Sequence, residues 1–203
     1  MINISVLVSG GGTNLQALID GVEDSRIKDA RIVLVLSSKD GVYALERARK
    51  AGIETKVISK KDYPDEEEKA DALLAALAEV KTDLVVTAGY MSILNKRVCA
   101  AYKGRMINIH PALLPKHGGV GYYGLRVHQA VLEAGDKETG ATVHFVDEGV
   151  DSGEIILQKS IPVLDDDTPE TLQKRLLDEV EHVIIVEGTN KIVEKLKNPN
   201  PTI

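Results

Sequence analysis

The sequence predicts an α/β protein with a Rossmann-like, doubly wound, mostly parallel sheet that ends in a C-terminal antiparallel hairpin strand. Three observations predict it. Short β-branched runs alternate with helical patterns, a glycine-rich turn follows the first run, and the last two strand-like runs lie close together. At 203 residues the chain suits one domain with a full core, expected over residues 1–197, with 198–203 as a loose tail.

The strand candidates are Ile2–Val8, Ile32–Leu36, Leu84–Ala88 and Met106–His110, with Thr55–Ile58 as a weaker one. Their near-continuous apolar character fits strands covered by helices on both faces. Between them, Thr13–Ile19 reads as a helix stopped at Gly21, and Val42–Ala51 as one ended by Gly52. Pro64–Val80 reads as a third, with Pro64 at its first position, acidic residues at its positive end, and Ala70, Leu73, Leu74 and Leu77 on one face. After a helical Gly124–Ala134, the runs Ala141–Val146 and Ile155–Val163 are separated only by Asp147–Glu154. A parallel return needs a dozen or more residues, so this pair forms an antiparallel hairpin. Pro162 puts the second strand at an edge or near its end. Thr168-Pro169-Glu170 then caps and opens a long C-terminal helix, which Gly188 kinks or ends.

Composition narrows the function. A formal charge of −6 argues against nucleic acid as a partner. Cys99 is the only cysteine, read as a buried structural thiol, and no metal-ligand spacing occurs, so no metal is expected. The N-terminus reads as a first strand and not as a signal peptide, and no apolar run approaches membrane-spanning length. A cytoplasmic protein acting on small molecules, as monomer or homodimer, is the expectation.

Three clusters could carry chemistry. Ser9-Gly10-Gly11-Gly12-Thr13-Asn14 joins the first strand to the first helix, where free N–H groups bind anions. The dinucleotide fingerprint is half met, since Leu15 stands at the third glycine's place and no acidic residue tips the second strand. A monophosphate is favoured over NAD or ATP, with a plain tight turn as the alternative. Asn108 and His110, two apart on a strand that Pro111 ends, face one side at the edge where ligands of open α/β sheets sit. Asp151 lies in the hairpin loop. If the preceding strand runs parallel, that loop rises over the same edge, and the carboxylate orients and charges His110. The alternatives are a satisfied Asn–His pair in the core and a loop Asp bonded to its own turn. His144 is either a support for the site or a core histidine; His117, His128 and His182 read as surface or capping residues.

The segments "VLVSGGGTNLQALID", "VVTAGYMSIL", "INIHPALLPK", "GATVHFVDEGVDSGEIILQ" and "DTPETL…EH", in order from about Met1 to about His182, resemble the phosphoribosylglycinamide formyltransferases of purine biosynthesis. The resemblance implies 10-formyltetrahydrofolate as donor and co-substrate and glycinamide ribonucleotide as acceptor. It places Asn108, His110 and Asp151 on the catalytic positions. It assigns the ribonucleotide's phosphate end to Gly11, Gly12, Thr13, Asn14, Leu15 and Gln16, with Glu181 and its neighbours Asp178–Val180. It assigns the folate to Met91, Ser92, Ile93, Leu94, Asn108, Val146, Asp147, Glu148, Gly149, Val150 and Asp151. The chain departs from the family at Gly11, where Asn is frequent, at Ser92 and Glu66, where Arg is frequent, and in a longer segment "HGGVGYYGLRVHQAV". Related formyl enzymes that act on methionyl-tRNA or on water carry extra C-terminal or N-terminal domains. An end at Ile203 and a start at the first strand disfavour both. A phosphate-binding module without catalysis would leave Asn108, His110 and Asp151 unexplained, and an NAD oxidoreductase would need the missing fingerprint residues.

Overall fold

The computed structural model describes residues 1–198; the expected tail lies outside the described residues from 199 onward. Among the described residues one seven-stranded sheet runs β3-β2-β1-β4-β5-β6-β7. Its strands are β1 (Ile2–Val8), β2 (Ala30–Ser37), β3 (Glu54–Val57), β4 (Leu84–Thr87), β5 (Met106–His110), β6 (Glu138–Phe145) and β7 (Ile155–Pro162). The first five are parallel, and β6 and β7 are antiparallel to their neighbours. The chain leaves β1 toward β2 and β3, then returns to the other side of β1 with β4. The strand order therefore reverses between β1 and β4, where open α/β sheets form their ligand cleft.

Helices α1 (Thr13–Glu23), α2 (Tyr43–Lys50), α3 (Glu66–Glu79), α4 (Lys96–Ala101), α5 (Leu125–Glu133), α6 (Pro169–Leu176) and α7 (His182–Lys197) cover both faces. Along β1 the buried residues alternate. Ile4, Val6 and Val8 join Leu15 and Leu18 of α1 and Ile184 and Ile185 of α7 in one core. Leu7 joins Leu73 and Leu77 of α3 and Val98 of α4 on the other face. Each such leucine removed from water contributes about 1.5–3 kcal/mol.

Several local readings are corrected. Gly21 sits inside α1 rather than ending it: a Cβ there would stand 3.0 Å from Val186 Cγ1, so the glycine lets α7 approach. Pro64 precedes α3, whose cap is Asp65; its carboxylate accepts the backbone N–H groups of Glu67 and Glu68 at 2.9 Å. Thr168 caps α6 with Pro169 first in the helix, as expected, through a reciprocal pair with Thr171. A π-helical turn, Leu177–Glu181, which no sequence pattern signalled, then joins α6 to α7.

Gly188 does not end α7, which runs through it against β6. A Cβ at Gly188 would meet Val143 Cγ1 at 2.9 Å, with Val143 fully buried. An open helical glycine gains about 1 kcal/mol on change to Ala, but overpacking costs about 1–3 kcal/mol. We expect Gly188→Ala to destabilise the protein by about 1 kcal/mol in urea unfolding, and Val143→Ala to relieve part of that loss in the double variant. A more stable Gly188→Ala would contradict this packing.

Candidate functional site

The parallel strands β1, β4 and β5 end on one edge, and their loops open a cavity of about 510 Å³. That volume suits a drug-sized ligand. Asn14, Met91–Leu94, Asn108, His110, Val146–Asp151 and Glu181 all line it. Asn14 of the glycine-loop cluster thus shares one cavity with residues far from it in sequence.

Asn108 and His110 project from the last turn of β5 toward the cavity, as their spacing requires. The Thr87 hydroxyl donates to Asn108 Oδ1 at 2.6 Å, and Asn108 Nδ2 donates to His144 Nε2 at 3.1 Å. His144 Nδ1 donates to the Phe145 carbonyl at 2.8 Å, which leaves Nε2 as the acceptor. Burial lowers the His144 pKa, against the pull of that carbonyl and of Asp151, so the neutral ring is the form that holds the amide. One Nδ2 hydrogen of Asn108 is thereby used, and the other is left for a ligand. His144 supports the site rather than simply filling the core.

His110 is only 4% exposed. Its Nε2 donates to the His117 carbonyl at 2.8 Å, and its Nδ1 stands 3.5 Å from Asp151 Oδ2. Asp151 reaches it by a different route from the one expected. β6 is antiparallel to β5, pairing Phe145 with Ile107 and Thr142 with His110, so β6 ends beside the start of β5. The hairpin loop must therefore double back along the sheet. Asp151 adopts a left-handed φ of 55°, places Oδ1 3.7 Å from His144 Nε2, and accepts the Gly119 N–H at 3.0 Å. The carboxylate and the imidazole still meet.

At the glycine loop, Asn14 Nδ2 donates to Glu181 Oε2 at 2.8 Å, while the buried Asn14 Oδ1 has no partner among the described residues. Burial pushes the Glu181 carboxyl up to about 7, against the pull of Asn14. The π turn delivers Glu181 to the cavity wall, a common use of such turns. Gly12 has φ 73°, and a Cβ on it would meet Ala44 Cβ at 2.6 Å, so it seats the loop on α2. Around Gly10 and Gly11 the space is open. The Leu15 side chain lies wholly in the core, leaving only its backbone N–H for a ligand. Gln16 bonds Asp20 and receives Arg47 Nη1 at 3.1 Å. Gly11, Gly12, Thr13, Leu15 and Gln16 border the turn without lining the cavity.

Other contacts that build the site had no sequence signal. The Ser9 hydroxyl accepts the Met91 N–H at 2.8 Å and so ties the loop after β4 to the glycine loop. Arg47 Nε donates to the Gly11 carbonyl at 2.9 Å, which brings a cation to the loop. His128 is fully buried and lines the cavity, correcting its assignment to the surface. Neither of its ring nitrogens has a partner among the described residues, and burial, with His110 nearby, pushes its pKa down to about 4. It is invisible in sequence because its burial comes from the tertiary seat of α5. Cys99 is buried at the cavity, as expected, and burial raises its pKa, which disfavours a nucleophilic thiolate. Among the described residues no group of three or more His, Cys, Asp or Glu is placed to hold a metal ion, and no helix is long and apolar enough to cross a membrane.

Comparison with known proteins agrees with this geometry. Residues 2–189 match the family model described as formyl transferase. The chain is 48% identical over 174 residues to the trifunctional purine biosynthetic protein adenosine-3 of Drosophila melanogaster; the match covers 85% of this chain and 12% of that protein. The matched segment thus spans only about an eighth of that relative's length. It is 43% identical over 175 residues to the phosphoribosylglycinamide formyltransferase of Haemophilus influenzae, covering 86% of this chain and 80% of that one. The crystal structure of glycinamide ribonucleotide transformylase 1 from Symbiobacterium toebii superposes with a TM-score of 0.89 at 43% identity, covering 96% of this chain and 88% of that chain. With its fold, its cavity and the match over nearly all of its length in agreement, the chain belongs to the formyl transferase family.

Proposed function

We propose that residues 1–197 form a single catalytic domain that transfers the formyl group of 10-formyltetrahydrofolate to the amine of glycinamide ribonucleotide. The observation that carries this reading is the continuity of one cavity from the Asn14–Glu181 pair, past Asn108 and His110, to a mouth rimmed by exposed Ile93, Val120 and Val150. An apolar rim suits a flat heteroaromatic donor, and a polar end beside a glycine turn suits a ribonucleotide. The open N–H groups around Gly10 and Gly11, with Arg47 alongside, take the phosphate. The unpartnered Asn14 Oδ1 and the Glu181 carboxylate accept hydrogens from the ribonucleotide's amine or hydroxyls. Both substrates are small polar metabolites, which keeps the expected cytoplasmic setting part of the proposal.

In the reaction the acceptor amine attacks the formyl carbon and a C–N bond forms. The carbonyl π pair moves onto oxygen, which becomes an oxyanion. The second Nδ2 hydrogen of Asn108 donates to that oxygen. His110 Nε2 is committed to the His117 carbonyl, so Nδ1 is the nitrogen left to serve the oxyanion, and a proton there faces Asp151. The oxygen pair then reforms the carbonyl as the bond to the folate nitrogen breaks. The proton lost by the amine reaches the departing nitrogen through His110 or water. Preorganised donors in a water-poor cavity need no reorientation as charge develops, which gives them their advantage over solvent.

A spectrophotometric assay tests the proposal: donor deformylation must depend on added glycinamide ribonucleotide. Deformylation without it would point to water as acceptor, and none in either case would leave only a binding module. Within that assay we expect Asn108→Ala and His110→Ala each to lower kcat on the order of 10²–10³-fold, with urea midpoints little changed. Near-parental turnover in either would remove that residue from the oxyanion's environment.

Glu181 gives a separate pH prediction. Its folded pKa of about 7 lies above the ordinary 4.5, so its contribution to stability is present below 4.5 and is lost as pH rises through 7. Glu181→Gln should flatten the stability–pH curve of the free protein in that window and raise KM for the ribonucleotide more than for the folate. An unchanged slope, measured by urea unfolding at a series of pH values, would refute this.

A further inference from the structure

The segment after β5 touches the catalytic pair with its backbone alone. The His117 carbonyl accepts His110 Nε2, and two residues later the Gly119 N–H donates to Asp151 Oδ2. Three residues of one loop thus fix both a nitrogen of the imidazole and an oxygen of the carboxylate. Gly118 between them has no room for a side chain: a Cβ would stand 2.4 Å from Leu114 Cδ2 and 3.5 Å from Asp151 Cβ. A loop whose peptide groups set tautomer and orientation must itself be held, because a free peptide rotates.

What holds it lies outside the main cavity. His117 has a left-handed φ of 51°, which a non-glycine residue keeps only when its surroundings enforce it. Its side chain points away from His110, and its Nε2 meets Asp136 Oδ2 at 2.8 Å. The other carboxylate oxygen of Asp136 receives Lys116 Nζ at 3.0 Å. His117 and Asp136 side chains are 14% and 17% exposed, so this contact is largely shielded from water, unlike that of Lys116 at 69%. His117, and then Lys116, hold the Asp136 carboxyl below its usual range. Asp136 is fixed in turn by the chain turning out of α5, where Gly135 has φ 66° and the Asp136 N–H donates to the Val131 carbonyl.

We propose that Asp136 and His117 are positioning residues for the transfer: their side-chain contact anchors the 117–119 backbone that selects the His110 tautomer and orients Asp151. The proposal deepens the formyl-transfer reading and rests on it for its kinetic consequence, but its structural consequence needs no substrate. With the anchor intact, His110 keeps a hydrogen on Nε2 for the His117 carbonyl, and Nδ1 is the nitrogen presented to the reacting atoms and Asp151. Without it, the His117 carbonyl swings away and both tautomers become populated, so only a fraction of the protein presents Nδ1 correctly. Asp151 loses the Gly119 N–H in the same motion. Binding of the ribonucleotide, which rests on Asn14, Glu181 and the glycine loop, is untouched.

The test uses full-length protein labelled with ¹⁵N, comparing the parent with Asp136→Ala and with His117→Asn. Asn tolerates the left-handed backbone but is too short to reach Asp136, so the second variant decides the matter if the first fails to fold. We expect imidazole ¹⁵N shifts to show His110 Nε2 fully protonated in the parent and only partly so in both variants. We also expect hydrogen exchange at Gly119 to speed up about tenfold or more while amides of α3 keep their protection. In the transfer assay kcat should fall about tenfold or more with the KM for the ribonucleotide within about twofold, and Asp136→Asn, which can still accept from His117, should recover part of the loss. Unchanged Nε2 protonation and unchanged Gly119 exchange in both variants would overturn the proposal. So would loss of protection throughout the molecule, which would make the pair a general stabiliser. If the parent shows no transfer activity, the formyl-transfer reading fails while the NMR result still decides this one.

Discussion

The site depends on how a nearly sealed imidazole satisfies its two nitrogens. His110 sits at the end of a central strand and is 4% exposed, so neither nitrogen can rely on bulk water. One is assigned to a backbone carbonyl and the other faces a carboxylate. Because a carbonyl can only accept, it dictates where the hydrogen sits. That choice leaves Nδ1 toward the cavity and fixes where the Asp151 charge has to be. The left-handed residues at 117 and 151, the side chain excluded at Gly118, and the doubling back of the 147–154 loop all follow from bringing these groups together.

Around this centre the polar groups are held mainly in neutral forms. Burial lowers the His144 and His128 pKa values and pushes Glu181 up to about 7. Neutral partners orient by hydrogen bonds without adding competing charge, so the field of Asp151 and of the charge developing on substrate is little diluted. Thr87 and His144 act in this way on Asn108, one on each end of its amide. The asymmetry is useful: removing either partner would leave a buried polar atom unsatisfied, at about 1–3 kcal/mol, and would free the amide to rotate. The unpartnered nitrogens of His128 and the unpartnered Asn14 Oδ1 lie on the same cavity, where a ligand or water can satisfy them.

Much of this was legible in the sequence because it follows from periodicity and spacing. Five β-branched runs with intervening helices gave the parallel half of the sheet. A two-residue spacing before Pro111 put Asn108 and His110 on one face at the ligand edge. Asp151 comes beside His110 although the premise of a parallel strand is not met, because strand direction is a tertiary choice that the sequence of Ala141–Val146 does not record. Contacts made across the fold left no local trace. Gly21 and Gly188 read as helix stops because glycine usually is one, whereas here they admit Val186 and Val143. Ser9, Thr87 and Arg47 are ordinary residues until the loops bring them to Met91, Asn108 and Gly11. The π turn that delivers Glu181 has no hydrophobic period of its own.

The most direct measurement is of the bound donor itself. Difference infrared spectroscopy with a ¹³C-labelled formyl group reports how strongly the protein polarises the carbonyl before the amine attacks. Donors preorganised at Asn108 and His110 require the stretch to fall on binding relative to water, and to move back toward the solution value in Asn108→Ala and in His110→Ala. A bound carbonyl that absorbs as it does in water, or one that neither substitution shifts, would contradict the assignment of the end of β5 as the place where the reacting oxygen is stabilised.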